Sequence, residues 1–235
     1  MKISTWNVNS VNARIEHLEK FIKKDQSDIY LLQELKTIEE GFPKEIIKNT
    51  GYYSYINGQK AWNGVAILSK EKLEITNTSI TKYNDPNARF IETEIQLKKI
   101  KKNIKLINIY LPNGNPIETE KFDYKIEWMK KFNSYIQELK DKNIPIIISG
   151  DFNVIPSDDD VYSPENFKND ACAHPLTREQ YRILINMGFT DLVKHFVEGK
   201  TNWTFWGYRG GGWQKGNGLR LDHFLTTANV TDLVK

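Results

Sequence analysis

Short apolar runs recur along the chain between polar segments, and their lengths predict strands. Five of them are rich in Ile, Val and Tyr and predict buried strands. They are Lys2–Trp6, Asp28–Gln33, Gly64–Leu68, Ile104–Tyr110 and Ile144–Ser149. Phe90–Leu97 alternates apolar and polar residues, which predicts a half-exposed antiparallel strand. Tyr52–Ile56 and Glu74–Thr81 are predicted to be further strands.

Longer amphipathic segments predict four helices. They are Ala13–Lys24, Pro43–Asn49, Thr119–Lys140 and Thr177–Met187. In the third, apolar residues recur at steps of three and four from Phe122 to Leu139. Strands alternate with helices early in the chain and a strand-rich stretch follows, which predicts an α/β protein with mixed sheets. The chain shows no internal repeat and no linker, so we expect a single domain over residues 1–235.

Composition narrows the class of protein without naming a function. The 235 residues suit one large domain, and the single cysteine, Cys172, excludes an intrachain disulfide framework and a multi-cysteine zinc site. Lys and Arg exceed Asp and Glu by 33 − 30 = 3, a positive charge too small by itself to indicate a nucleic-acid partner. The chain begins without a secretory signal pattern and has no apolar run of membrane-spanning length, so we expect a cytoplasmic protein without a membrane partner.

Polar residues stand where several predicted strands end. Asn7 and Glu34 follow the first two apolar runs, Asp151 and Asn153 follow Ile144–Ser149, and Asp222 precedes the last run. If these strands lie side by side, the five side chains share one rim, and their oxygen atoms favour Mg²⁺ or Mn²⁺ over Zn²⁺. Taken alone, an Asn or Asp after a strand is more often a turn former or a helix cap than a metal ligand.

Six segments in order then resemble a known family. They are Thr5-Trp6-Asn7-Val8-Asn9, Leu32-Gln33-Glu34, Asn63-Gly64-Val65-Ala66-Ile67, Asn108-Ile109-Tyr110-Leu111-Pro112-Asn113-Gly114, Gly150-Asp151-Phe152-Asn153-Val154 and Gly218-Leu219-Arg220-Leu221-Asp222. Together they resemble the exonuclease III family of abasic-site (AP) endonucleases, in the superfamily of endonucleases, exonucleases and phosphatases. The resemblance implies a four-layer α/β sandwich, with two mixed β-sheets flanked by helices. It also implies Mg²⁺-dependent cleavage of duplex DNA 5′ to abasic sites, 3′→5′ exonuclease activity and removal of blocking groups from 3′ ends.

The resemblance also implies a metal site. Glu34 is similar to the principal metal ligand, with Asn7 as a second ligand or as the group that orients it. Asp151 and Asn153 complete the implied ligand set for Mg²⁺ or Mn²⁺. Asn9 extends this shell towards the substrate.

Catalytic roles follow from the same resemblance. Asp151 matches the residue that activates the attacking water, and Asn153 matches one that holds the phosphate or the water. Tyr110 is similar to a residue that bonds the scissile phosphate or assists the leaving oxygen, although a core tyrosine explains it equally well. Asp222 is similar to a carboxylate that orients its neighbours.

A separate set of residues is implied to bind substrate. In relatives, the segments matching Trp203–Arg209 and Gly218–Asp222 line an apolar pocket that receives the flipped-out abasic sugar. This pocket is too small for a sugar that still carries its base. Its candidates here are Phe205, Leu219 and Leu221, and Trp206 is a further candidate for substrate binding. Arg209, Lys215 and Arg220 are candidates for phosphate contacts that position duplex DNA. Ordinary core packing is the alternative for each aromatic residue.

The chain departs from the family at its end. Relatives continue for some thirty residues with further strands and a Ser-Asp-His motif that is catalytic, and this sequence contains no Ser-Asp-His. We expect either an incomplete record of a normal enzyme, acting as a monomer on DNA, or a natural short form. Two alternative functions stay open: a catalytically impaired DNA-binding form, and a superfamily phosphatase acting on a non-DNA phosphoester.

Overall fold

The computed structural model describes residues 1–97, 103–199, 202–207 and 210–235. Twelve strands and six α-helices occur in this part of the chain. The strands are β1 Ile3–Asn7, β2 Ile29–Gln33, β3 Tyr53–Asn57, β4 Val65–Ser69, β5 Ile75–Asn77, β6 Phe90–Ile95, β7 Ile104–Tyr110, β8 Ile146–Asp151, β9 Phe189–Asp191, β10 Phe205–Trp206, β11 Gly218–Leu219 and β12 Asp222–Thr227. The helices are α1 Ile15–Asp25, α2 Lys44–Asn49, α3 Glu120–Asp141, α4 Pro175–Asn186, α5 Leu192–Phe196 and α6 Ala228–Thr231.

The elements that the hydrophobic pattern predicts are all present, and all but one end within two residues of the predicted bounds. The exception is β5, where a strand over Glu74–Thr81 is predicted and only Ile75–Asn77 forms. Its pairing with β6 shifts register between Ile75 and Asn77, so the ladder ends there. The pattern misses β9 to β11, α5 and α6, because segments of two to five residues are too short to carry a hydrophobic period.

Contacts between residues group the chain into two compact units, each made of two sequence segments. The N-terminal unit contains Met1–Tyr110 and Ile144–Asp151, and the C-terminal unit contains Leu111–Asn143 and Phe152–Lys235. The chain therefore passes from one unit to the other three times. The single domain over residues 1–235 stays a prediction.

The N-terminal unit contains two mixed sheets. In the first, with strand order β1-β2-β4-β3, β1 and β2 are parallel and the other pairs are antiparallel. In the second, β5, β6, β7 and β8 lie in that order, and only β7 and β8 are parallel. The predicted α/β class with two mixed sheets is confirmed.

Helix α1 covers the first sheet because its apolar stripe is continuous. Leu18 and Ile22 are buried against Tyr30, Leu32 and neighbours on β4. Burying such side chains stabilises the unit by roughly 1.5–3 kcal/mol each. The helix ends at Gln26, which takes a left-handed conformation and donates its backbone N–H to the Ile22 carbonyl.

A buried polar group joins the two sheets of the N-terminal unit. Asn108 on β7 donates through Nδ2 to the carbonyl oxygens of Leu32 and Ala66, at 3.0 and 2.9 Å. Its Oδ1 accepts from Nε2 of Gln33 at 2.7 Å. A satisfied buried network fixes one alignment of its partners. It therefore sets the register of β7 against the end of β2.

In the C-terminal unit, α3 packs against α4, and Nδ2 of Asn133 donates to the carbonyl of Gln180 at 3.0 Å. Strands β9 and β12 pair antiparallel, and so do the short strands β10 and β11.

Within the described ranges, no helix has both the length and the apolar character required to cross a bilayer.

Candidate active site

One asparagine links two carboxylates where strands of both sheets end. Asn7 ends β1 and Asp151 ends β8, while Glu34 directly follows β2. Nδ2 of Asn7 donates to Oε1 of Glu34 at 2.7 Å and to Oδ2 of Asp151 at 2.8 Å. The structure therefore brings these three predicted residues together. With Tyr110 they form the group that we call the rim cluster.

Tyr110 enters the rim cluster through strand pairing. It lies opposite Asp151 in the parallel register of β7 and β8. Burial, and then the negative charges of Glu34 and Asp151, raise the pKa of Tyr110 far above its ordinary value of 10.0. A tyrosine hydroxyl is already protonated at neutral pH, and the raised pKa keeps it protonated in more alkaline solution, so it can donate a hydrogen bond. The guanidinium of Arg89 lies 4.9 Å from the centre of the Tyr110 ring.

A lysine that the sequence analysis does not identify also lies at the rim. Nζ of Lys36 contacts Oε2 of Glu34 at 2.9 Å and donates to Oδ1 of Asn9. The backbone N–H of Asn9 in turn donates to Oδ1 of Asn7 at 3.0 Å. Asn9 is thus placed beside the rim cluster, as the resemblance implies.

The backbone beside the rim is unusual for residues other than glycine. Asn9, Glu34 and Lys36 have φ angles of 44°, 53° and 55°, in the left-handed region. Backbone hydrogen bonds hold this loop: Ser10 donates to the Glu34 carbonyl at 2.7 Å and Lys36 to that of Asn63 at 2.9 Å. Such conformations persist where the surroundings determine them strongly, and they are frequent at active sites.

The donor set of the rim cluster fits a hard divalent cation. Among the residues that the structure describes, no three His, Cys, Asp or Glu side chains group in a way that could hold a metal ion. Mg²⁺ does not require three, because one or two carboxylates with water molecules commonly bind it. Glu34 and Asp151 supply two carboxylates here, on the same asparagine amide.

Asn153 belongs to the C-terminal unit, and its side chain is held by neighbours there. Its Nδ2 donates to the Leu111 carbonyl at 2.9 Å, and its Oδ1 accepts from Nδ2 of Asn113 at 3.0 Å. The residue is 5% exposed and left-handed, with φ at 48°. Its predicted metal and phosphate contacts stay predictions.

Asp222 begins β12 and is half-buried. The backbone N–H groups of Leu221 and Asp222 both donate to Oγ1 of Thr204, at 3.1 Å each. This hydroxyl fixes the start of β12 and thereby the place from which the Asp222 side chain extends. Its predicted orienting role stays a prediction.

Aromatic side chains are exposed on the segment predicted to bind substrate. Phe205 is 39% exposed, and Trp206 packs edge-on against Trp213 with ring centres 4.5 Å apart. Lys215 is exposed nearby in sequence. Arg209 lies outside the described residues.

The two predicted pocket leucines are buried. Leu219 and Leu221 are each 6% exposed and pack with Ile155, Val161 and Cys172. Leu219 lies opposite Phe205 in the β10–β11 pair. Their place in a sugar pocket stays a prediction.

The prediction that Arg220 contacts a DNA phosphate is wrong in this structure. Arg220 is 1% exposed; its Nε donates to Oδ1 of Asp160 at 2.7 Å and its Nη1 to Oδ2 of Asp191 at 2.8 Å. Nη1 also lies 2.7 Å from Nδ1 of His223. A guanidinium buried between two carboxylates is bound inside the protein, so we assign Arg220 to the interior of the C-terminal unit.

Comparisons with known proteins agree with the fold. The model of the endonuclease/exonuclease/phosphatase family matches residues 4–234. Exodeoxyribonuclease III of Haemophilus influenzae is 34% identical over 247 residues, which cover 99% of this chain and 90% of that protein.

Two solved structures are similar over nearly the whole chain. The 3′ phosphatase NExo from Neisseria, bound to a product DNA hairpin, has a TM-score of 0.92 and 30% identity. An AP endonuclease from Archaeoglobus fulgidus has a TM-score of 0.90 and 33% identity. Each match covers 99% of this chain and 88% of the other chain. The fold that the resemblance implied is confirmed.

Proposed function

The chain belongs to the endonuclease/exonuclease/phosphatase family, and from that premise we propose that it is a Mg²⁺-dependent phosphodiesterase of DNA repair. Exodeoxyribonuclease and AP endonuclease relatives make it a hydrolase of the DNA-repair nuclease type. Its substrates are duplex DNA with abasic sites, which it cuts on the 5′ side, and 3′ ends, which it degrades or unblocks. It acts as a monomer in the cytoplasm.

The observation that carries the proposal is the hydrogen bonding of Asn7 to Glu34 and Asp151. Two carboxylates held on one amide supply both a place for a cation and a base. Lys36 contacts only Oε2 of Glu34, so Oε1 of Glu34 and Oδ2 of Asp151 share the neutral amide of Asn7.

The chemistry is displacement at phosphorus. Asp151 accepts the proton of the attacking water, whose oxygen bonds to phosphorus as the bond to the 3′ oxygen breaks. The protonated hydroxyl of Tyr110 donates to a phosphate oxygen or to the leaving oxygen. The products are a 3′-hydroxyl and a 5′-deoxyribose phosphate.

The residues that would hold the metal in the N-terminal unit are Glu34, Asp151 and Asn7, the last through its amide oxygen. When bound, Mg²⁺ supplies positive charge for the phosphate oxygens as negative charge develops on them. In our proposal Asn153 holds the phosphate, and Phe205 and Trp206 contact the sugar. Asp222 orients its neighbours.

The test is cleavage of an end-labelled duplex oligonucleotide that carries one synthetic abasic site. The purified chain is incubated with Mg²⁺ or with EDTA, beside Glu34→Gln and the control Glu39→Gln. Glu39 is exposed and pairs with Lys44, so its replacement should leave the rate unchanged. Glu34→Gln should lower the rate at least about 100-fold, because it removes a charge that binds the cation.

Other products would identify other functions. Duplex binding without any Mg²⁺-dependent cleavage would replace the proposal with the impaired DNA-binding form. Release of phosphate from a 3′-phosphorylated duplex, without cutting at the abasic site, would favour a 3′ phosphatase, as the Neisseria structure is described. Hydrolysis of a soluble inositol phosphate alone would indicate the non-DNA phosphatase.

A further inference from the structure

Lys125 is a fully buried lysine on the apolar face of α3. It is 0% exposed, and the same stripe of the helix carries Phe122, Met129 and Phe132. Lysine is rarely buried completely, because removing its charge from water is costly unless polar partners compensate. A lysine at this position therefore requires a specific reason.

Three backbone carbonyls accept from its ammonium group. Nζ donates to the carbonyl oxygens of Pro112 and Asn113 at 3.1 Å each and to that of Asn153 at 2.7 Å. An ammonium group has three N–H donors, so these carbonyls can use all of them. The shortest of the three bonds is to Asn153.

The hydrogen bond from Lys125 is accepted by Asn153, a residue with an unfavourable backbone conformation. Asn153 has a left-handed φ of 48°, which is uncommon for a side-chain-bearing residue. Its Oδ1 accepts from Nδ2 of Asn113, whose own carbonyl accepts from Lys125. Lys125 thus holds the backbones of the two asparagines whose side chains bond each other.

The neighbouring chain leaves room for the lysine stem. Gly114 has a φ of 86°, and a Cβ at that position would lie 2.5 Å from Cδ of Lys125. Glycine is therefore needed where the loop passes over the lysine. Loop and helix fit each other around this one side chain.

We infer that Lys125 is a positioning residue for Asn153: its ammonium group fixes the backbone that aims the Asn153 amide at the substrate phosphate. The inference rests on the proposed function in so far as Asn153 holds a phosphate. Lys125 itself contacts no substrate. Its effect on the reaction passes through Asn153.

A double-mutant cycle tests this route. Lys125→Met removes the donors and keeps most of the stem, and Lys131→Met removes an exposed lysine of the same helix as the control. We expect Lys125→Met to lower kcat roughly 10- to 100-fold with KM within about threefold, and Lys131→Met to change neither. Combined with Asn153→Ala, Lys125→Met should slow the enzyme no further.

A purely structural lysine would give a different pattern. Lys125→Met would then lower the melting temperature while kcat, measured well below that temperature, stayed at the wild-type value. The same loss of rate in the presence and absence of the Asn153 side chain would also overturn the inference. If Lys125→Met does not fold, Lys125→Arg retains charge and donors in a different geometry, and its loss of kcat must again vanish beside Asn153→Ala.

The experiment separates this inference from the proposed function. If the wild-type chain cuts DNA and Lys125→Met cuts equally fast, the inference fails and the function stands. If the wild-type chain cuts no DNA, the function fails, and a crystal structure of Lys125→Met decides the inference. Loss of the left-handed conformation at Asn153 would support it, and an unchanged Asn153 would overturn it.

Discussion

Asn7 uses one amide nitrogen to hold two negative charges. Nδ2 has two hydrogens and donates to Glu34 and to Asp151. Glu34 follows β2 and Asp151 ends β8, and these strands belong to different sheets, so the amide also aligns the two strand ends. A side chain without these donors would leave the negative charges of Glu34 and Asp151 without their shared hydrogen-bond donor, and like charges repel.

Replacing Asn7 should therefore impair activity more than folding. We expect Asn7→Ala to lower kcat about 100-fold on abasic-site DNA, because both carboxylates lose the group that orients them. Steady-state kinetics measures this change. Asn12→Ala is the control, since the Asn12 amide donates to the Gly41 carbonyl in an exposed loop. Equal rates for both variants would contradict the role given to Asn7.

Strands β7 and β8 approach each other closely at a glycine, where Gly150 lies opposite Ile109. Gly150 has a φ of 134°, and a Cβ there would lie 2.1 Å from the carbonyl oxygen of Ile109. Only glycine fits such an approach. Because Gly150 directly precedes Asp151, this close pairing also sets the position of Asp151 relative to Tyr110, its partner in the strand register.

A pair of glycine substitutions separates this steric effect from backbone preference. Gly51 also has a positive φ, of 90°, but nothing lies within 4 Å of an added Cβ. We expect Gly51→Ala to lower the free energy of unfolding by about 1 kcal/mol. Gly150→Ala should cost at least about 3 kcal/mol, because it also forces β7 and β8 apart. Urea denaturation measures both, and similar costs would show that the contact with Ile109 is unimportant.

The strands of the rim were predictable because their apolar runs are short and uninterrupted, and because parallel strands end at a common edge. Lys125 gave a signal that the sequence analysis did not use. It falls three residues after Phe122 and four before Met129, on an otherwise apolar stripe. A charged residue at such a position indicates a buried polar partner, but its partner Asn153 becomes visible only in the fold.

Arg220 was not predictable from its neighbours in sequence. An arginine beside a glycine-rich aromatic segment is typical of phosphate binding. Its actual partners, Asp160 and Asp191, are 60 and 29 residues away. Short elements such as β9, which carries Asp191, offered no pattern from which to infer this burial.

For the whole molecule, the dependence of stability on pH should reflect one histidine. His223 is 0% exposed; burial first, and the charge of Arg220 second, lower its pKa to about 4. Arg220 can only donate, so Nδ1 of His223 accepts and Nε2–H donates to the Val154 carbonyl at 3.0 Å. Tyr181, Asp160 and Asp191 also surround this network. The folded protein therefore requires the neutral ring.

This requirement gives stability a defined pH window. His223 takes up a proton near pH 6.5 in the unfolded chain and only near pH 4 in the folded protein. Its contribution to the free energy of unfolding is therefore complete above pH 6.5 and is lost as the pH falls to 4. We expect a loss of roughly 3 kcal/mol across that window. Urea denaturation at pH 7 and at pH 4.5 measures it.

Variants identify the responsible group. His223→Gln should be less stable at pH 7 and should show a smaller loss on acidification. His17→Gln, on the exposed face of α1, is the control and should keep the wild-type slope. A wild-type slope in His223→Gln would contradict the assignment. Carboxyl groups with lowered pKa values, Glu94 among them, also lose stability towards the acid end of this window. They do so in the wild type and in His223→Gln alike, so the difference between the two slopes measures the histidine.

The last strand of the N-terminal unit, β8, has a consequence for synthesis on the ribosome. Between β7 and β8 lie 35 residues, of which the 33 of Leu111–Asn143 belong to the other unit. At about 5–20 residues per second, translation from residue 110 to residue 151 takes roughly 2 to 8 s. During this interval the emerging chain has β7 without its parallel neighbour, with an open edge that invites pairing with other chains. Asp151 arrives with the strand that closes this edge, so the nascent chain completes its first unit and its two-carboxylate rim in the same step.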